Sequence, residues 1–183
     1  MTFQIPLSPS MRMMLMYDVN GLEYQNILGE NPSLMRRSNH PNHFLTSDEQ
    51  ALLQQAVSEA EMQTSAQIKV VMVRHCWGKL NDKAAKLFTK YGLDQLPDRN
   101  GVLILLVLAN RELLIYGDQG INEKVTDDFW VSIHTGMVKA FKANEMGSGL
   151  ANGIKQIGKA LEAYFPKGDD HDNPVDDQVA FEA

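Results

Sequence analysis

Two apolar runs, "GVLILLVL" (101–108) and "ELLIYG" (112–117), stand three residues apart and constrain the architecture more than any other part of the chain. So short a connection cannot carry a crossover, so the two must pair as an antiparallel hairpin. Ala109, Asn110 and Arg111 form the turn, in which Asn110 tolerates a positive φ, although Asn-Arg is a weaker turn signal than Asn-Gly. The first run has no polar position on either face, which is the pattern of a strand buried between two layers.

The flanking segments say what those layers are. "AQIKVVMVRH" (66–75) is a further buried strand, and "NDKAAKLFTKYG" (81–92) places Leu87, Phe88 and Tyr91 on one side of a helix, with Asn81 as a possible cap and Gly92 as its end. Strand, helix and strand in that order imply parallel pairing through a crossover. Upstream, Thr46 with Glu49, or Ser47 with Gln50, has capping-box spacing before Leu52, Leu53, Ala56, Val57 and Ala60, so a helix spans about 47–63. Downstream, "TDDFWVSIHTGMVKAFK" sets Trp130, Ile133, Met137 and Phe141 at helical spacing, and "GSGLANGIKQIGKALEAYF" does the same with Leu150, Ile154, Ile157, Leu161 and Tyr164. The fold class is therefore α/β, a three-layer α/β/α sandwich with a small mixed sheet.

Charge divides the chain. Of the formal −6 over 183 residues, residues 1–43 sum to zero, 44–165 to −1 and 166–183 to −5. The expected organisation is a poorly ordered extension over 1–43, one domain over 44–165 and a disordered acidic tail over 166–183. No basic stripe is present to neutralise phosphates, which argues against nucleic acid. Cys76 is alone, so an internal disulfide is excluded. Pro6, Pro9, Arg12 and Asp18 interrupt the Met-rich start, unlike a signal peptide, and the longest apolar run is eight residues, too short for a membrane span. A cytoplasmic monomer without membrane insertion is expected.

Candidate chemistry follows from the hairpin. Asp98 precedes one strand and Asp118 follows its partner, so antiparallel pairing brings both to one rim of the sheet. Asp127 and Asp128, at the start of the next helix, can share that rim, and such hard carboxylates with loop carbonyls suit calcium or magnesium. The competing reading makes Asp98 and Asp118 ordinary loop residues and Asp127 a helix cap. At the other rim, "RHCWGKLND" sets Cys76 beside His75, but adjacent strand residues point to opposite faces and no Cys-x5-Arg loop follows. "HPNH" (His40 to His43) has metal-like spacing but falls in the extension, and His134 reads as a packed or surface histidine. Phe129 and Trp130 read as core. No Ser-His-Asp set, Walker loop or dinucleotide fingerprint occurs, so catalytic residues stay unknown and no organic cofactor is expected.

"EAEMQTSAQIKVVMVR", "RNGVLILLVLANRELLIYGDQGI", "KVTDDFW" and "AYFPKGDDHDNPVDDQV", in that order, resemble the TPM domain family over about residues 44–180, above all its small bacterial members without signal peptide or membrane anchor. The resemblance implies an α/β/α sandwich and, for some members, calcium or magnesium held in loops at one rim. Plant thylakoid-lumen relatives are described as acid phosphatases. The chain departs from the common pattern twice. Asp98-Arg99-Asn100-Gly101 replaces Asp-Asn-Gly, and Asp118-Gln119-Gly120-Ile121 replaces Gly-Tyr-Gly-Leu, so only Asn100, Gly101, Gly120 and Asp127 carry over by position. The metal-ligand set expected from geometry and resemblance together is Asp98, Asn100, Asp118, Asp127 and Asp128. The expected function is a noncatalytic, divalent-cation-binding interaction module for an unidentified protein partner. A weak metal-assisted phosphatase, hydrolysing phosphomonoesters, is the alternative.

Overall fold

The structure is a computed structural model that describes residues 37, 38, 40–168 and 174–182. Its elements run α1 (Ser47–Glu61), β1 (Gln67–Val73), α2 (Leu80–Lys90), β2 (Gly101–Val107), β3 (Glu112–Gly117), a single turn α3 (Gln119–Asn122), α4 (Asp127–Lys142), α5 (Met146–Glu162) and β4 (Ala180–Glu182). The sheet order is β3-β2-β1-β4. β1 and β2 pair in parallel with Gln67 opposite Gly101, and β2 and β3 pair antiparallel with Val102 opposite Gly117. The hairpin and the crossover are those expected from the sequence.

Strand alternation separates two cores. Ile68, Val70, Met72, Val102, Ile104, Leu106, Leu113 and Ile115 face α1, α4 and α5, while Val71, Val73, Leu103, Leu105, Val107 and Leu114 face α2. This is the three-layer sandwich. α1 is started by the capping box, in which Glu49 N donates to Thr46 Oγ1 and Thr46 N donates to a Glu49 carboxylate oxygen. α5 lies close to both neighbours because its glycines leave room. A Cβ at Gly149 would press on Ala140, and one at Gly158 on Ala60. Among the described residues no helix is long and apolar enough to cross a membrane.

Four local expectations need correction. The end of the acidic segment is ordered rather than solvated, since Ala180–Glu182 pair in parallel with Val71–Val73 and Val175 is buried. The cause is a set of polar anchors on β1: Lys69 Nζ donates to the carbonyls of Asp176 and Gln178, and Val175 N donates to the Gln67 side chain. The end of the N-terminal extension is also tied down. Arg37 forks onto Glu49 and donates to the Phe44 carbonyl, and Pro41 is buried; residues 1–36 and Asn39 lie outside the described residues. In the hairpin turn Arg111, not Asn110, takes the positive φ, at 57°. Finally, α2 begins after Lys79 with no side-chain cap, so Asn81 lies inside the helix.

Candidate functional site

The hairpin brings residues 98–101 and 117–120 together at the rim where β2 starts and β3 ends. Two backbone hydrogen bonds join the loops: Asp118 N donates to the Gly101 carbonyl and Gly120 N to the Arg99 carbonyl, both at 2.9 Å. Gly120 is required here by close approach, because a Cβ would sit 2.3 Å from the Asp98 carbonyl oxygen and 2.8 Å from that of Arg99. α4 is attached to the same rim through its core tryptophan. Trp130 Nε1 donates to Asn122 Oδ1, whose amide donates to the Gly117 carbonyl.

The five expected ligands take different positions. Asp118 is buried, at 3% exposure, and begins α3, accepting from Gln119 N at 2.7 Å. Both its oxygens also accept from Arg99, Nε at 2.9 Å and Nη2 at 2.8 Å. Asn100 is buried and gives its amide to Ser65 Oγ. Asp98 is exposed beside them, and Asp127 and Asp128 are exposed in the first turn of α4, where carboxylates suit the positive end of the helix dipole. Among the described residues no three His, Cys, Asp or Glu side chains are grouped to hold a metal ion. Calcium needs six to eight oxygens and magnesium near-ideal octahedral geometry. With Asp118 already forked onto a guanidinium, the side chains as placed do not fit such an ion.

The opposite rim, at the carboxyl end of β1, is built differently. The chain leaves β1 through exposed Arg74 and His75, tucks Cys76 inward, and turns at Gly78 with φ 102°. Trp77 is thereby left 91% exposed, with the His75 ring stacked on it at 5.6 Å between centroids. The hairpin turn closes in from the side, because Ala109 N donates to the Arg74 carbonyl. The segments that meet at this rim carry Arg74, Lys79, Lys83 and Arg111 against Asp82 and Glu112, with Glu182 of β4, opposite Val73, as a further acid that acts on Lys83.

Cys76 and His75 do not form a nucleophile–base pair. Burial, with Glu112 adding to it, pushes the thiol pKa up, and Sγ lies 3.9 Å from the Gly78 carbonyl. His40 and His43 contact each other ring to ring at 5.4 Å. His134 packs on β3; burial lowers its pKa, against the effect of a hydrogen bond with the Leu113 backbone. Trp77 was not singled out in the sequence. Its one signal there is an aromatic residue before a glycine, directly after a strand that ends in a parallel sheet, the edge at which open α/β sheets usually bind.

Comparison with known proteins agrees with this architecture. A family model described as "TPM domain" matches residues 38–160. The chain is similar to the NMR structure of the BA42 protein from the psychrophilic bacterium Bizionia argentinensis, at 31% identity and a TM-score of 0.72, over 78% of this chain and 99% of that one. The solution structure of the N-terminal domain of a protein from P. gingivalis shares the fold at 19% identity and a TM-score of 0.55, over 81% of this chain and 92% of that one. No curated protein matches the chain.

Proposed function

The chain belongs to the TPM domain family, and from that premise we propose that it is a noncatalytic interaction module whose docking face is the Trp77 rim. The partner is a protein carrying an acidic segment with an apolar anchor. One observation carries this reading: a tryptophan left 91% exposed inside a loop, Arg74 to Lys79, that has two fixed positive charges and no acid. An indole is the side chain most often found at the energetic centre of an interface. Stacking on His75 limits its freedom before binding, which lowers the entropic cost of docking. Arg74 and Lys79 supply complementary charge for an acidic segment and would steer its approach. Metal-assisted phosphoester hydrolysis draws no comparable support, because it needs carboxylates free for a cation where Asp118 is engaged by Arg99.

Trp77 fluorescence provides the test. Trp130 is 1% exposed, so a change on adding an Asp/Glu-rich peptide with one Leu or Phe reports on Trp77. Binding should saturate, weaken with salt and vanish in Trp77→Ala and in Lys79→Glu, both of which remain folded. A wild-type protein that ignores the peptide, or a Trp77→Ala variant that binds equally well by calorimetry, refutes the reading.

A further inference from the structure

The β2–β3 rim has a charge arrangement that docking at the opposite rim leaves unexplained. The Asp118 side chain is only 4% exposed, so an uncompensated carboxylate there is strongly unfavourable. Among the described residues the charged partner is Arg99, with the Gln119 N–H donating as well. Arg99 forks onto both oxygens and reaches them from a left-handed backbone, φ 51°, which residues with a Cβ seldom adopt. That conformation also turns the Arg99 carbonyl to accept from Gly120 N, so one residue ties the two loops through both its side chain and its backbone. Arg99 stands directly before Asn100 and Gly101, with Asp98 on its other side.

We propose that the Arg99 guanidinium is the resident cation of this rim, filling the place beside Asp118 that a calcium or magnesium ion would otherwise take. An acid at position 99 would bring two carboxylates together and call for a doubly charged ion. The arginine brings one carboxylate and one matching fork, and the loops are locked without any ion. Asp98 stays exposed to solvent.

The test is a melting series on wild-type protein, Arg99→Gly and the double variant Arg99→Gly/Asp118→Asn, each in EDTA and in millimolar calcium or magnesium chloride. The amide shifts of Gln119 and Gly120 are followed in parallel. Glycine accepts a positive φ without strain, so what the single variant loses is the guanidinium. The wild type should melt at one temperature in all three solutions, with its rim amides unmoved. Arg99→Gly should melt lower and recover part of the loss with either cation, and the double variant should ignore both. A wild type whose melting temperature rises or whose Gln119 and Gly120 amides shift with cation overturns the proposal, and this titration decides the matter even if the variants fail to fold. An Arg99→Gly variant that folds and does not respond to cations overturns it as well.

Discussion

Replacing Gly120 by alanine tests how rigidly the two loops of the β2–β3 rim are joined. The new Cβ would lie 2.3 Å from one backbone oxygen and 2.8 Å from another, belonging to Asp98 and Arg99. An ordinary carbon–oxygen contact is about 3.3 Å, so the loops must part by roughly 1 Å. No flexible side chain can give way, because both obstacles are main chain. The movement also stretches the Gly120 N to Arg99 carbonyl hydrogen bond, now 2.9 Å, and pulls the Arg99 fork away from Asp118. Overpacking of this kind costs about 1–3 kcal/mol and a lost hydrogen bond about 1 kcal/mol, so a loss of about 3 kcal/mol is expected. For a chain of this size that is a fall of about 6–12 °C in melting temperature. Gly136→Ala is the internal control. Nothing lies within 4 Å of a Cβ there, in an exposed stretch of α4. The same change should stabilise by about 0.5–1 kcal/mol through helix propensity alone. Urea denaturation followed by circular dichroism measures both. A Gly120→Ala protein as stable as wild type would show that the rim is looser than the hydrogen bonds imply, and two shifts of the same sign would refute the distinction between the sites.

Lys69→Met removes the charged donor to the carbonyls of Asp176 and Gln178; about 2 kcal/mol should be lost, and hydrogen exchange at residues 180–182 should rise far more than at β2, or the anchoring role is wrong. Thr46→Ala breaks the capping box and should cost about 1 kcal/mol, measured by the same denaturation, while Thr46→Ser should cost clearly less. His134 titrates below the usual 6.5 because burial disfavours its charged form. The unfolded chain therefore binds more protons in that window, so the stabilisation is complete above about pH 6.5 and is lost as pH falls through the folded value. Midpoints measured from about pH 7.5 to 5 should fall less steeply for His134→Gln than for wild type, and equal slopes would assign the acid limb to other groups.

What the sequence reveals depends on how local the determining interaction is. β1, β2 and β3 were legible because each declares its burial in consecutive residues, and the capped start of α1 because Thr46 and Glu49 lie three apart. β4 was not. Its three residues are only partly buried, and what holds the segment is Gln67 and Lys69, more than a hundred positions earlier. Read by charge alone, that segment is a solvated tail. The exposure of Trp77 was equally hidden, since it depends on Gly78 turning the chain outward and Cys76 turning inward. The glycines of α5 lower its helix propensity, yet they are what allows α1 and α4 to approach it.

The rim carboxylates show the same limit at the scale of one residue. That Asp98 and Asp118 would reach one edge of the sheet follows from antiparallel pairing, and the loops do meet there. Counting acids along the chain, however, treats the residue between Asp98 and Asn100 as a spacer. In three dimensions it is the dominant charge of the site, because nineteen positions separate Arg99 from the carboxylate it neutralises and its left-handed backbone aims it across the gap. A cation-binding loop and a self-neutralised one thus share nearly the same acidic pattern and differ in whether a basic residue stands where its fork can reach the buried carboxylate. For this rim the sign of residue 99 therefore matters more than the number of aspartates around it.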